Sequence, residues 1–511
     1  MIDFLKKYYL ELFSILLFLF LIPVFNLVNF RQNDDWVYYQ NIQNILSGNF
    51  YWHEKTAPTF LTIGILASFW SLIFSIHSLP ILTFVISILN FYFFVKILDI
   101  KFSFSKLTNV LISLILFTNF LHIYSSIGFM TENYLIFFLL LSIFYFEKSE
   151  IGADSLKYLH VSNIFSIFTF FVKQSGILFL TSSVVYFLVK KDFKKFKIQS
   201  IYLLGIVLFY LFIFPKTSEM QSKNFNFENI LAVDYLFSLS YGILIYLAFF
   251  TFPLILVSFK KYFMENLKNI KAILLIMVIA ISTYVFSNLF FKPSLLAWQE
   301  FPYFENVIER TGFLPRTLSG TKYQFKFNFV YWKYADVVSK LAVVLSLTLT
   351  LLSLKKSINV YSISIIGFIV LMFFVSPFFD RYVLYALPLS ILFLCLFLSD
   401  NYFTKIVLII FVAYQSFFSY FLLKDFVLSH NYIWKKSLEI SQEIDPSEIK
   451  GSGGWKNTYG LNFNDPKYIF TYDSPAKNPD LKNNYNLLET KKIEFIGNLF
   501  INSEIYLYQK K

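Results

Sequence analysis

The feature that most constrains this chain is a series of apolar runs, each about 18–20 residues long, that recurs along most of its length. A run of that length crosses a bilayer as an α-helix, because each helical residue advances about 1.5 Å. The chain is 57% hydrophobic and 15% charged, which places it outside the range of soluble globular proteins. A transmembrane β-barrel would instead alternate apolar and polar residues over strands of about 10 residues. We therefore predict an all-α polytopic membrane protein.

Basic residues between the runs set the predicted topology. One apolar run, Pro58 to Ile76, either spans the membrane or lies in its interface. If it spanned, the cluster Lys190 to Lys197 would face outward, against the positive-inside rule. We therefore expect a membrane-lying helix there, a cytoplasmic N-terminus and an external C-terminus. The thirteen predicted spans are 9–28, 81–97, 107–123, 131–146, 158–172, 175–190, 199–215, 235–258, 271–291, 340–354, 358–376, 382–399 and 404–423.

The composition changes beyond about residue 425, where polar residues and turn signals replace the apolar runs. Short alternating stretches at Tyr468–Tyr472 and Ile505–Tyr508 predict strands. The net charge of +12 comes from lysines clustered between spans, so we expect membrane lipids and no nucleic acid as partners. The predicted organisation is a transmembrane domain over 1–424, with external loops at 30–80 and 292–339, followed by a small external α+β domain over 425–511.

Two adjacent acids, Asp34 and Asp35, follow the first predicted span. Carboxylates are costly inside a bilayer, so this pair is expected in water at the membrane edge. A carboxylate in that position can act as a general base toward an acceptor hydroxyl or amine, and repulsion within a pair raises one pKa. The competing interpretation is a helix N-cap, since an Asp precedes the helical pattern Tyr38, Ile42 and Ile45.

Other charged residues fall at the predicted outer ends of spans. Glu132 begins one span, and an acid so close to hydrocarbon is a functional candidate by default; the alternative is a helix-start residue with Thr131 as cap. Lys55 and Arg381 are isolated external cations, and Lys173 lies in a tight external turn. A lipid-linked phosphate would lie at this depth, and an Arg side chain binds phosphate through its planar fork. Snorkelling toward lipid headgroups is the competing interpretation for these cations.

Several common kinds of site find no support in the sequence. The external histidines His53, His77 and His122 have no metal-site spacing. The chain also has no phosphate-binding loop of the Walker type, no glycine-rich dinucleotide fingerprint and no Gly-x-Ser-x-Gly elbow. Nucleotide-driven transport and serine hydrolysis are therefore not indicated, and no metal site is predicted from these residues.

These elements together resemble the GT-C superfamily of integral-membrane glycosyltransferases. The similarity is to the bacterial branch that resembles protein O-mannosyltransferases and the aminoarabinose transferase of lipid A, a family 39-like group. In that branch a first span is followed by an acidic pair, a membrane-lying helix, a second acid at a span start, a Lys/Arg-x-x-Gly turn and a late Arg-Tyr element. The corresponding segments here are Asp34–Tyr39 with Asn44–Gly48, Glu54–Pro58, Thr131-Glu132, Phe171–Gly176, and Arg381-Tyr382 with Leu387-Pro388.

The resemblance implies a GT-C-like fold and inverting transfer of a sugar from a polyprenyl-phosphate donor. The acceptor would be a lipid, a glycan or a protein at the outer face of the bacterial cytoplasmic membrane. No cofactor is expected with certainty, although some relatives coordinate a divalent cation with equivalent acids. By the same resemblance Asp34 or Asp35 is the base, Glu132 orients the acceptor or base, Lys55, Arg381 and Lys173 hold the donor phosphate, and Tyr38, Gln174 and Tyr382 contact substrate.

Two other functions stay open at this point. A lipid or glycan transporter would show repeat symmetry and polar residues at the bilayer midplane, whereas the polar residues here gather at one predicted face. An O-antigen polymerase or ligase shares the carrier lipid and a large external loop with essential arginines. Arg310 and Arg316, within 292–339, are compatible with that second alternative.

Overall fold

The computed structural model describes residues 9–25, 28–32, 34–50, 52–53, 56–152, 154–214, 232–266, 269–310, 312–313, 328–375, 377–460, 466–474, 478–494 and 504–511. Within these ranges the protein is mostly helical. The first helices are α1 (Tyr9–Phe25), α2 (Asp35–Leu46), α3 (Leu61–Phe74), α4 (Leu79–Lys101), α5 (Lys106–Phe117), α6 (Phe120–Ser126), α7 (Thr131–Ile151), α8 (Ser155–Phe170), α9 (Ile177–Val189) and α10 (Phe193–Phe212). The later ones are α11 (Val233–Asn266), α12 (Ile270–Phe290), α13 (Asn328–Leu352), α14 (Leu354–Ser357), α15 (Val360–Met372), α16 (Val383–Cys395), α17 (Tyr402–Ile440), α18 (Gly453–Tyr459) and α19 (Pro479–Asn484).

This is a membrane protein by the length and composition of its helices. Six helices in the described ranges are long and apolar enough to cross a bilayer, and the pair α5–α6 would make a seventh if it forms one bent span. The predicted number of thirteen spans is not confirmed. One reason is helix length, since α9 has only 13 residues and extends about 20 Å, less than a hydrocarbon core of about 30 Å. The six helices are Ile76–Lys101, Phe193–Phe212, Val233–Glu265, Ile273–Phe290, Tyr331–Leu352 and Tyr402–Ile440.

The predicted span over 107–123 is not one straight helix. The chain bends by 69° between α5 and α6. The bend has a local cause, because the Asn119 side chain accepts a hydrogen bond from the N–H of Leu121 at 2.9 Å and so caps a new helix. The bend brings the 127–130 turn, at the end of α6, to the start of α7.

The helices differ in how deeply they are buried. Every residue of α16 is buried, and this helix packs against α11, α15 and α7 at the centre of the molecule. By contrast α10 buries only Gln199 and Ile206, and α12 is similarly exposed along its apolar length. A helix that is apolar on all sides and exposed is suited to contact with lipid. The charged site described below lies at an end of the buried central helices.

A small sheet forms the C-terminal part, as predicted. Its strands are β3 (Ile449–Lys450), β4 (Tyr468–Thr471), β5 (Tyr485–Lys492) and β6 (Glu504–Lys510), in the order β3-β4-β6-β5, whereas β1 (Ile308–Glu309) and β2 (Gly312–Phe313) form a separate hairpin. Strand β3 runs parallel to β4, and the other pairings are antiparallel. Helix α17 has 39 residues and extends about 58 Å, so it runs without a break through the predicted domain boundary at residue 425.

Candidate active site

Four charged side chains that the sequence singled out separately lie in one cluster. They are Asp34, Glu132, Lys173 and Arg381, and we call them the charged cluster. Each lies at the end of a helix or in the turn next to one. Ion pairs link them in a row from Asp34 through Arg381 and Glu132 to Lys173. Segments distant in sequence therefore converge on one small polar region beside a largely apolar core.

Asp34 occupies the N-cap position of α2, but its side chain makes no capping hydrogen bond. Its Oδ2 instead accepts a hydrogen bond from Arg381 Nη1 at 2.5 Å. The Asp34 side chain is 29% exposed, which leaves it accessible to a second group. The helix-cap interpretation of this acid is therefore not supported by the structure.

Glu132 lies in the first turn of α7 and is only 3% exposed. Thr131 does not cap this helix, because Met130 occupies the N-cap position. Glu132 Oε1 accepts a hydrogen bond from Lys173 Nζ at 2.6 Å and lies 3.7 Å from Arg381 Nε. One buried carboxylate thus holds two cations, which fixes where both of them point.

Lys173 is positioned by a turn that only glycine permits. The residue is extended and precedes the 3₁₀ turn Gln174–Gly176 between α8 and α9. An added Cβ at Gly176 would lie 2.3 Å from the backbone carbonyl carbon of Thr169, so any larger residue would push the turn away from α8. Burial lowers the pKa of Lys173, while Glu132 acts in the opposite direction.

Arg381 lies in the 3₁₀ turn Asp380–Tyr382 that leads into α16. Its side chain is 10% exposed, and its Nε has no hydrogen-bond partner within the described part of the chain. Phe379 flanks the guanidinium, with the ring centroid 5.7 Å from Cζ. That atom nevertheless forms an ion pair with Glu132 Oε1, 3.7 Å away, and a guanidinium is a group well suited to binding an anion.

The two adjacent acids have different environments. Asp35 is 2% exposed and accepts a hydrogen bond from the backbone N–H of Gln32 at 3.1 Å. An added Cβ at Gly128 would lie 2.8 Å from its Oδ2, so the 127–130 turn packs directly on this carboxylate. Burial raises the pKa of Asp35 to about 6, although Arg31 and backbone N–H groups favour the charged form. Asp35 therefore joins the start of α2 to the turn that leads into Glu132.

Sequence reasoning did not assign a role to Asp380, although it adjoins Arg381. Asp380 is fully buried and accepts hydrogen bonds from the N–H groups of Val307 and Ile308, at 3.0 and 2.8 Å. Burial raises its pKa to about 7, against these backbone donors, which lower it. This carboxylate fastens the 301–309 segment to the turn that carries Arg381. The only sequence signal for it was an acid within an otherwise apolar stretch.

The other predicted site residues differ in whether they lie near the charged cluster. Tyr38 is buried, with its ring stacked on Phe60 at 5.3 Å, and Tyr382 lies below Lys173, whose Nζ is 5.8 Å from the ring centroid. Gln174 donates a hydrogen bond to Tyr210 of α10 at 3.1 Å, so its amide faces away toward that helix. Lys55 lies outside the described residues.

The C-terminal part packs against the segment that precedes Asp34. The sequence did not predict this contact. Phe30 packs against Phe426 and His430 of α17, with ring centroids 5.8 and 5.3 Å away. An added Cβ at Gly454 would lie 1.8 Å from the carbonyl oxygen of Arg31. The only sequence signal was the glycine-rich stretch around Gly454, one of the turn signals found beyond about residue 425. Residues 30–32 are therefore held between α17 and α18.

The fold and the charged cluster together define a polytopic helical membrane protein with a compact charged site at the ends of its central helices. No protein-family model matches the chain, and no curated protein or solved structure matches it either.

Proposed function

We propose that this protein is an inverting glycosyltransferase that uses a polyprenyl-phosphate-linked sugar donor. The observation that carries the proposal is the meeting of the four residues of the charged cluster, two of which lie 347 positions apart. A glycosyl transfer from a lipid phosphate needs a base for the acceptor and cations for the leaving phosphate. The charged cluster contains both kinds of group at one site next to the apolar helices that would receive a polyprenyl chain.

Asp34 is the proposed base, because it is the more exposed of the two adjacent acids. In the reaction, the acceptor oxygen attacks the anomeric carbon and its proton passes to the Asp34 carboxylate. The bond between that carbon and the phosphate oxygen breaks, and polyprenyl phosphate leaves with the bonding electrons. Arg381 and Lys173 stabilise the charge that develops on this phosphate. Glu132 holds both cations in place, and Tyr38 and Tyr382 form the aromatic surround of the substrate.

Asp35 has a positioning role in this proposal. Its carboxylate is buried beneath Gly128 and bonded to the Gln32 backbone, so it has no path to a substrate. It fixes the distance between Asp34 and the turn before Glu132. The two adjacent acids therefore have different proposed roles: Asp34 takes part in the reaction, and Asp35 positions Asp34.

A divalent cation, which some GT-C enzymes use, does not fit these residues. Within the described ranges no three His, Cys, Asp or Glu side chains come together. The two acids of the charged cluster are each paired with a cation already, which disfavours a further positive ion. No step is assigned to a metal.

The proposed site lies at the outer face of the bacterial cytoplasmic membrane, with the N-terminus inside and the C-terminus outside. The lysine clusters between helices support this orientation, and the number of thirteen spans stays a prediction. The polymerase or ligase alternative relied on external arginines. Of these, Arg316 lies outside the described residues, and Arg310 pairs with Glu300 and donates to the Phe301 carbonyl at 3.0 Å, contacts typical of a structural role.

The proposal is tested by transfer assays on membranes that carry the wild type, Asp34→Asn, Asp35→Asn or Glu132→Gln. A panel of polyprenyl-phosphate sugars serves as donor, and immunoblots normalise for abundance. We expect Asp34→Asn to lose at least about 100-fold of the transfer rate at normal abundance, because general-base catalysis contributes about that much. Asp35→Asn should lower abundance or thermal stability. Full transfer by Asp34→Asn would overturn the proposal.

A further inference from the structure

The proposed base and the proposed phosphate-binding arginine are bonded to each other in the structure. Asp34 Oδ2 and Arg381 Nη1 lie 2.5 Å apart. This geometry conflicts with the transfer itself, because inversion places the attacking oxygen and the leaving oxygen on opposite sides of the anomeric carbon. In inverting glycosidases the two catalytic carboxyl groups lie about 6.5–9.5 Å apart, which leaves room for the attacking water. The pair formed by Asp34 and Arg381 must therefore open before the sugar can react.

The burial of the two acids in the charged cluster indicates which carboxylate separates from its cation when the phosphate binds. Two acids of the charged cluster are paired with its two cations, so an incoming phosphate competes with these carboxylates for the same cations. Glu132 is 3% exposed and is held by Lys173 at 2.6 Å, whereas Asp34 is 29% exposed. Separating the partly solvated Asp34 from its cation therefore costs less free energy than leaving the buried Glu132 without its cations.

Arg381 has the donors for the incoming group. Its Nη1 would be freed by the departure of Asp34, whereas its Nε lies 3.7 Å from Glu132 Oε1. Nη1 and Nη2 form one edge of the guanidinium, and the two N–H groups of such an edge match two oxygens of one phosphate. A phosphate bonded through both atoms therefore competes with the Asp34 carboxylate for Arg381.

We propose that the donor phosphate displaces Asp34 from Arg381, so that the base is released from this arginine only when the donor is bound. This inference rests on the proposed function and adds its regulation. The donor must then bind before the acceptor, because an acceptor that arrives first meets a carboxylate occupied by arginine. The ion pair thereby couples activation of the acceptor to the presence of the sugar.

Binding of a long-chain polyprenyl monophosphate to the purified full-length protein in detergent tests this displacement. The variants are Asp34→Asn and, as a matched control, Asp234→Asn, which removes the same charge from a residue paired with Lys292. We expect Asp34→Asn to bind the phosphate on the order of tenfold more tightly than the wild type, because Arg381 loses its competitor. Asp234→Asn should bind like the wild type. Equal or weaker binding by Asp34→Asn would overturn the displacement.

Two further readouts keep this test separate from the proposed function. If Asp34→Asn binds no more tightly yet loses transfer, the displacement is wrong and the glycosyltransferase proposal stands. If Asp34→Asn keeps full transfer, the proposed function itself fails. Wild-type kinetics give an answer that needs no variant, since a dead-end acceptor analogue should inhibit uncompetitively against the donor when the donor binds first. Competitive or mixed inhibition would contradict the ordered mechanism.

Discussion

Helix α7 has a buried glutamate near each end. Comparing the two ends shows how a candidate ligand site differs from an ion pair that only stabilises the fold. Glu132 and Glu147 lie 15 positions apart (147 minus 132) on this helix, which is about 22 Å. Each is within 2.6 Å of a lysine from another segment, Lys173 at one end and Lys101 at the other. In composition these two ion pairs are the same.

Their surroundings differ. Glu147 also accepts a hydrogen bond from Tyr361 at 2.5 Å, so its pair ties α7 to α4 and α15. Glu132 instead lies beside Arg381, which also contacts the partly exposed Asp34. A buried ion pair is thus weak evidence of function, whereas an arginine shared between a buried acid and a partly exposed one indicates a ligand site.

The largest expected difference between the two ends comes from their cations. Arg381→Lys keeps the charge but loses the planar fork, so we expect transfer to fall by about 100-fold or more. At the other end, Lys101→Gln removes the charge of the cation, and this variant should keep transfer near the wild-type rate and have a lower melting temperature. Transfer rate and thermal unfolding in detergent measure both effects. Equal losses of transfer in the two variants would remove the functional distinction between the ends.

The two glutamates provide the next comparison. Glu132→Gln leaves Lys173 and Arg381 without their shared acid, so we expect transfer to fall about tenfold. Glu147→Gln preserves the shape but leaves Lys101 uncompensated, so the free energy of unfolding should decrease while the transfer rate per folded molecule stays unchanged. Immunoblots and melting curves separate the two effects. A transfer defect in Glu147→Gln at normal stability would show that both ends contribute to function.

The sequence predicted the members of the charged cluster better than it predicted their arrangement. Asp34, Glu132, Lys173 and Arg381 were each identifiable, because a charge next to an apolar run is informative without any knowledge of its neighbours. Their partners were not identifiable, since tertiary contacts decide them. The different environments of the two adjacent acids also depend on a tertiary contact, since Gly128 packs on Asp35.

For the fold, too, the sequence predicted the kinds of element better than their number and length. Hydropathy indicates apolar helices, and the C-terminal strands followed from alternation and turn residues. The number of spans did not follow, because hydropathy averages over breaks such as the cap that Asn119 makes at the bend between α5 and α6. The unbroken length of α17 was missed for a related reason, since a change in composition at residue 425 need not end a helix.

A smaller effect is expected where the C-terminal part supports the end that carries Asp34. In Gly454→Ala the new Cβ must displace the Arg31 carbonyl, because the two would lie 1.8 Å apart. We expect a severalfold fall in transfer without any loss of affinity for the donor phosphate, since Asp34 moves and Arg381 does not. Gly205→Ala is the control, because nothing lies within 4 Å of that added Cβ. If both alanine variants behave alike, α18 has no positioning role.

The smallest expected effect concerns pH and again distinguishes the end that carries Asp34. Burial raises the pKa of Asp380 to about 7, from an ordinary value of 3.8. Between those two pH values the folded protein keeps a proton that the unfolded chain has released. The stability contributed by this group is therefore greatest below about pH 4, decreases as the pH rises to about 7 and is constant above that. Asp380→Asn should flatten the fall in melting temperature over this range, since Asn retains an oxygen for the N–H groups of Val307 and Ile308.

Parallel melting profiles for wild type and variant would show that Asp380 is already charged at low pH, and that its hydrogen bonds to Val307 and Ile308 outweigh the cost of burying it.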